Sequence, residues 1–406
     1  MKSNYKKLGP YIIPKGFLNE GMEVKELLGI SNQKYFQRSH TNTIGIDLST
    51  YRIVRTNQFA FNRATTRNGE KISIALRQGN DCIVSPSYRI FQVKDENELL
   101  SEYLLMWFKR PEFDRYVRFK SHGSAHEFFE YDQMCEVELP IPSLTKQKEI
   151  VKEYNVIQNR IALNQQLIQK LEATAQAIYK QWFIDFEFPD ENGKPYKSNG
   201  GEMVFNAELE KEIPKGWKYL KLGDLVQSQY GYTETASTEK IGPKFLRITD
   251  IAQNQINWSD VPYCKINEKE FEKYRLKYGD IVVARTGATS GYAKRIHKNF
   301  PDCVFASFLV RLIPNDKDWS LFLGLTVDSQ FYRGFILANA EGSAQPQANA
   351  PLLTSYKVIK SESSIISQFN RIIEPIFDLI EAYQLENQKL SELQSLLLSK
   401  LATIEN

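Results

Sequence analysis

Cysteine is scarce in this 406-residue chain: Cys82, Cys135, Cys264 and Cys303 are the only four, and no two lie close together. That spacing argues against both a disulfide framework and a cysteine-rich zinc site. No apolar run reaches the ~18 residues that a membrane-spanning helix needs. The opening Met1-Lys2-Ser3-Asn4-Tyr5-Lys6-Lys7 leads into no signal-peptide core, so a cytoplasmic location is expected. Histidine is equally sparse. His122 and His126 flank Gly123-Ser124-Ala125 in loop-like sequence, with no glutamate in the position a zinc-binding helix would need, so no metal is expected.

Catalytic signatures are missing as well. The chain contains no Gly-x-Gly, no Pro-Pro and no Gly-x-Ser-x-Gly. Their absence removes the usual dinucleotide fingerprint, the Asn/Asp-Pro-Pro-aromatic motif of amino-methyltransferases and the nucleophile elbow of hydrolases. Gly16 to Gly21 and Gly287 to Gly291 have P-loop spacing or flavour, but neither is followed by the Lys-Ser/Thr that holds phosphate and Mg²⁺. ATP hydrolysis by this chain is therefore not expected.

What is present suffices for real cores: 42% of residues are hydrophobic and 25% charged, which suits two or three ordinary domains and excludes disorder as the main state. Comparing the chain with itself reveals two copies offset by about 214 to 223 residues. Leu8-Gly9 matches Leu222-Gly223, Phe59 and Arg63 match Ile281 and Arg285, and Asp81-Cys82 matches Asp302-Cys303. Phe113 with Arg115 matches Phe331 with Arg333, and Gly123-Ser124-Ala125 matches Gly342-Ser343-Ala344. A helical block closes each copy, aligning Asn164 with Asn387. Cys82 and Cys303, equivalent and beside apolar runs, read as small buried hydrophobes.

The net charge of +3 divides along these boundaries into +3 for residues 1–142, 0 for 143–204, +4 for 205–360 and −4 for 361–406. Two mildly basic modules on a neutral-to-acidic frame suit a ligand with two separated anionic sites, such as duplex DNA.

From Ser143 to Phe188 there is neither Gly nor Pro, and Pro142 and Pro189 bracket the stretch. Ile150, Tyr154, Ile157, Ile161, Asn164, Ile168, Leu171, Ala175, Ile178 and Trp182 follow at alternating steps of four and three, the seam of a coiled coil. Ser143 or Thr145 would cap this helix. The second helix carries Phe369, Ile373, Ile376, Ile380, Tyr383, Asn387 and Leu390 on the same alternation, and Pro375 should kink or divide it. Packing the two stripes antiparallel would bring Asn164 close to Asn387 or Tyr383, and a buried Asn can fix register at some cost in stability. Alternatively, each stripe covers its own module's core.

The stretches Leu139-Pro-Ile-Pro-Ser-Leu-Thr-Lys-Gln-Lys-Glu-Ile150 and Leu171-Glu-Ala-Thr-Ala-Gln-Ala-Ile-Tyr-Lys-Gln-Trp-Phe183 resemble the central region of type I restriction-modification specificity subunits. The run from Phe186 to Met203, then Ile213-Pro-Lys-Gly-Trp217 and Leu222-Gly-Asp-Leu225, is similar to that family's entry into its second module. The resemblance implies an α+β fold of two tandem target-recognition domains, separated by two long helices in an antiparallel coiled coil with a pseudo-twofold repeat. The boundaries would be 1–142, a helix over 143–188, a linker over 189–204, the second domain at 205–360 and a helix over 361–406. It also implies a bipartite double-stranded DNA site and a docking role for two methylation subunits and for motor-nuclease subunits. S-adenosylmethionine, ATP and Mg²⁺ would then belong to those partners, and this chain would be no enzyme by itself. Two departures stand out: the first module lacks the Ile-Pro-x-Gly-Trp lead-in, and the second ends at Val358-Ile-Lys-Ser361 without Leu-Pro-Ile-Pro.

Recognition modules vary within such a family, so DNA contacts are argued from residue type: Lys and Arg for phosphate, and Arg, Asn, Gln or Lys for base edges. The first module's candidates are Asn62, Arg63, Arg67, Asn68 and Lys71, after the strand-like Gln58-Phe59-Ala60-Phe61. In the second they are Arg285, Thr286, Thr289, Ser290, Tyr292, Lys294 and Arg295, after Asp280-Ile281-Val282-Val283. The Gly123 and Gly342 loops are second candidates. Spacer packing is assigned to Ile157, Ile161, Asn164, Ile168 and Leu171 against Ile380, Tyr383, Asn387 and Leu390. The rival reading is a coiled-coil protein-interaction scaffold without DNA binding, whose interactions would be insensitive to salt.

Overall fold

The computed structural model describes residues 5–39, 45–64, 71–121, 127–207, 210–252, 255–340 and 347–404. They form two compact units, one of residues 1–163 with 387–406 and the other of 164–386. Each holds one mixed module and one end of both long helices.

The first module is built on a four-stranded antiparallel sheet in the order Ile12–Lys15, Tyr88–Val93, Phe59–Asn62, Ile74–Leu76. Its inner strand Phe-Ala-Phe is buried on both faces because alternate residues enter different cores. Phe59 and Phe61 join Phe91, Phe108 and Phe113 beneath the helix Ser101–Phe108, whereas Ala60 joins Ala75, Cys82, Val84 and Val54 on the other face. Phe59 stacks on Phe91 at 4.9 Å between ring centroids and meets Phe108 edge-on at 5.5 Å. Tyr5–Lys7 pairs antiparallel with Glu138–Pro140 and so closes the module just before the first long helix.

The second module repeats this plan with Val226–Tyr230, Leu309–Pro314, Ile281–Ala284 and Ala293–Arg295 in the same order. Ile281 and Val283 face one core and Val282 and Ala284 another. The sequence departure at Val358 has no structural counterpart, since Lys357–Lys360 pairs with Lys218–Lys221 as the closing strand. Lys244–Leu246 runs parallel to Cys303–Phe305, as Leu27 bridges Ile83 in the first module, where Arg52–Val54 also runs antiparallel to Cys82–Val84. Both Cys82 and Cys303 are fully buried, and burial pushes the Cys82 thiol up to about 12, so neither is a nucleophile.

Ser101–Phe108 and Ser320–Val327, Pro111–Lys120 and Gln330–Asn339, and Tyr131–Cys135 and Ala350–Thr354 are each 219 residues apart. That constant offset corrects two sequence matches. Phe113 corresponds to the equally buried Tyr332 and not to the exposed Phe331, and Asn164 corresponds to Tyr383 and not to Asn387. Matching by residue identity slipped by one position in the short helix and by one turn in the long one.

Each long helix is continuous, Leu144–Phe183 and Ser363–Lys400, and the second is not divided at Pro375. Ser143 supplies the first cap, its Oγ accepting from the Lys146 amide at 3.4 Å, while Thr145 lies inside the helix. In the first unit Gln394 donates to Gln158 at 3.0 Å, and Val151 and Tyr154 share a core with Leu398 and Leu401. In the second, Asn164 donates to Glu386 at 3.0 Å and Trp182 packs on Phe369 at 5.7 Å. As one residue number rises its partner's falls, so the helices are antiparallel. The two sequence alternatives therefore both hold in part: the seam pairs helix with helix, and its ends enter module cores. Tyr179 and Phe183 finish in the second module's core beside Phe322, and Leu401 finishes in the first module's.

Candidate nucleic-acid interface

In both modules the third strand of the sheet runs out into a basic loop, and in both the chain entering from the pre-helix loop pairs with its first residues. The Phe129 amide donates to Arg63 O at 2.8 Å, and the Ala348 amide donates to Arg285 O at 2.8 Å. Isolated bridges join Ala64 to Phe128 and Thr286 to Gln347. The first and second candidate loops of each module are thus rooted side by side, though 122–126 and 341–346, with the Gly123 and Gly342 motifs, lie outside the described residues.

Asn62 turns the first loop, its Oδ1 accepting from the Ala64 amide at 3.1 Å. Arg63 lies over the Phe128 ring at 4.6 Å and pairs with Glu130 at 2.9 Å, and the other oxygen of Glu130 accepts from Arg89 at 3.1 Å. Two guanidiniums therefore share one half-exposed carboxylate. Lys71 is exposed, and Arg67 and Asn68 lie outside the described residues.

The second loop is described throughout. Arg285 lies over Tyr230 at 5.0 Å, and the Tyr230 hydroxyl accepts from the Ala350 amide at 2.9 Å. Thr286 accepts from Thr289 Oγ1 at 3.3 Å across the Gly287–Thr289 turn, which needs the positive φ of Gly287, 73°. Tyr292 is covered by Arg333 at 3.9 Å. Three sequence candidates are buried or held by neighbours within the module. Ser290 is fully buried, Lys294 is drawn to Asp328 at 3.6 Å, and Arg295 is enclosed against Tyr278 with its Nε donating to Ser320 at 2.8 Å. Lys294 and Arg295 belong to the strand Ala293–Arg295 that follows the loop, and Ser290 closes the Gly287–Thr289 turn with its amide donating to Gly287 O.

Of the spacer residues, Ile157, Asn164, Ile168 and Ile380 are buried, and Ile161, Leu171, Tyr383, Asn387 and Leu390 are half-buried. The partner of Asn164 is Glu386, a residue the apolar pattern passed over. Among the described residues no group of His, Cys, Asp and Glu is placed to hold a metal ion, and no helix is long and apolar enough to cross a membrane.

The family model of the type I restriction modification DNA specificity domain matches residues 2–173 and again 214–395. The chain belongs to that family. Similar proteins include the MjaIX specificity subunit of Methanocaldococcus jannaschii, 26% identical over 75% of this chain and 68% of that one. The HindI specificity subunit of Haemophilus influenzae is 22% identical over 92% of this chain and 91% of its own length. The crystal structure of a type I restriction-modification S subunit from M. genitalium shares the fold, with a TM-score of 0.54 at 14% identity over 99% and 96% of the two chains. This specificity subunit accordingly supplies DNA sequence choice to a type I restriction-modification complex and is not its catalytic part. Phe128, Glu130, Tyr230 and Arg333, which contact the candidate residues, were missed by the sequence reading. Arg333 was matched to Arg115 by identity, but the 219-residue offset sets it opposite Asp114, and nothing in the sequence joined it to Tyr292.

Proposed function

We propose that each module reads one half of a bipartite double-stranded DNA site through its paired loops, and that the antiparallel helices set the number of base pairs between the halves. The observation that carries this reading is the recurrence of the same two-loop root, at Arg63 and at Arg285, in two modules with the same sheet order. An arginine or asparagine on such a loop can reach a base edge, while lysines hold phosphate. The helices also offer surface for two methylation subunits and the motor-nuclease subunits. Those partners would carry S-adenosylmethionine, ATP and Mg²⁺, and the whole complex would work in the cytoplasm.

Lengthening the first helix near Ala173-Thr174 by one turn of about 3.6 residues, with a matching turn in the second helix, tests the ruler. Methylation directed by the lengthened chain should fall on the same two half-sites at a changed gap. An unchanged gap would exclude the helices as the spacer.

A further inference from the structure

The second module's six arginines divide sharply by what holds them. Arg247 pairs with Asp250 at 2.8 Å, Arg275 with Asp302 at 2.8 Å, Arg311 with Asp280 at 2.6 Å, and Arg295 donates to Ser320. Arg285 and Arg333 have neither an ion pair nor a side-chain hydrogen bond among the described residues. Each instead lies over a tyrosine ring, Arg285 over Tyr230 at 5.0 Å and Arg333 over Tyr292 at 3.9 Å. They stand at the two ends of one loop, Arg285 at its entry and Arg333 beneath its exit. The close approach there is made by Gly291, where a Cβ would come 3.2 Å from that of Ile336.

In both arginines the Nε is enclosed and makes no hydrogen bond, while the residue as a whole is only half-buried. An enclosed Nε edge leaves the terminal Nη1/Nη2 fork as the end that can donate. An aromatic ring beneath the guanidinium restrains the side chain and lowers the rotamer entropy lost on binding. An enclosed Nε without an acceptor is unfavourable by itself, and a ligand that supplies acceptors to the fork offsets that cost. The O6 and N7 atoms of guanine in the major groove form the acceptor pair that matches such a fork. Arg63, the repeat counterpart of Arg285, is already neutralised by Glu130.

We infer that Arg285 and Arg333 are base-reading residues of the second module, each held by its tyrosine to take the O6/N7 edge of a guanine. This rests on the modules reading DNA, as proposed above.

The test uses the full chain with its methylation partner, as wild type and as Arg285→Lys and Arg333→Lys. Lysine keeps the charge and the aliphatic stem but loses the fork. Methylated sites are mapped across a genome, and melting temperatures are compared. The expected result is a guanine in one half-site whose requirement relaxes about tenfold or more in the lysine variants, with the other half-site and the gap unchanged. In binding assays, 7-deazaguanine at that position should weaken the wild type about tenfold and leave the matching lysine variant unaffected. Retained guanine choice in both variants, or equal weakening on all sequences, would overturn the assignment while leaving the bipartite reading intact. Absence of bipartite methylation by the wild type would overturn both.

Discussion

Lys34 and Asp114 form a pair buried within the first module, where Lys34 Nζ meets Asp114 at 2.8 Å and also donates to Phe108 O, and Asp114 accepts from the Ile72 amide at 3.1 Å. Burial lowers the Lys34 pKa, and the neighbouring Asp114 carboxylate opposes that shift. Asp114→Asn should cost about 3 kcal/mol at neutral pH, read from the denaturation midpoint. The loss should shrink in alkali. A lysine whose folded pKa lies below its unfolded value binds fewer protons when native, so its contribution rises with pH above that lowered pKa. Wild-type stability in the variant at pH 7 would contradict this. Glu130 permits a second test, because Glu130→Gln releases Arg63 and Arg89 from a shared carboxylate. Nonspecific DNA binding should tighten, and its logarithmic salt slope should steepen by about one to two. An unchanged slope would place both arginines away from phosphate. Arg63 and Arg285 were legible because a repeat marks equivalent positions. Glu130 was not, since an ion pair between residues far apart leaves no local spacing to read, and the enclosure of Ser290 and Arg295 escaped because a donor-rich composition does not show which residues pack inward.

The long helices show what periodicity settles and what it leaves open. The four-three alternation located both helices, and the buried Asn164, Ile168 and Ile380 lie on it. Register escaped it, because moving a coiled-coil stripe by one turn preserves the alternation, and only the structure puts Asn164 level with Tyr383 in the repeat. Asn164 also does more than interrupt the stripe, since it donates to Glu386. Asn164→Leu alone deprives that carboxylate of a partner. Asn164→Leu combined with Glu386→Leu should raise the melting temperature by a few degrees and broaden the spread of accepted gaps, because apolar replacement of a partly buried polar pair at a helix seam stabilises while relaxing register. A lower melting temperature, or a gap spread as narrow as the wild type's, would show that the pair does not trade stability for register. Pro375 does not divide its helix. A proline lacks one donor, but Phe369, Ile373 and Ile380 around it are buried, and that packing keeps the helix whole.

For the whole molecule, the repeat was the most informative feature of the sequence: both modules carry the same sheet order, the same closing strand and the same pairing of loops at the strand exit. The parallel pairing of Lys244–Leu246 stayed hidden, because strand direction depends on a connection and not on the residues of the strand. Two similar readers on antiparallel helices should recognise two short sequences at one fixed distance. Genome-wide mapping of adenine methylation in cells with and without this gene measures that directly. The account predicts that one motif disappears with the gene, made of two specified halves separated by a constant run of unspecified bases. Loss of a single uninterrupted motif, or of no motif at all, would contradict it.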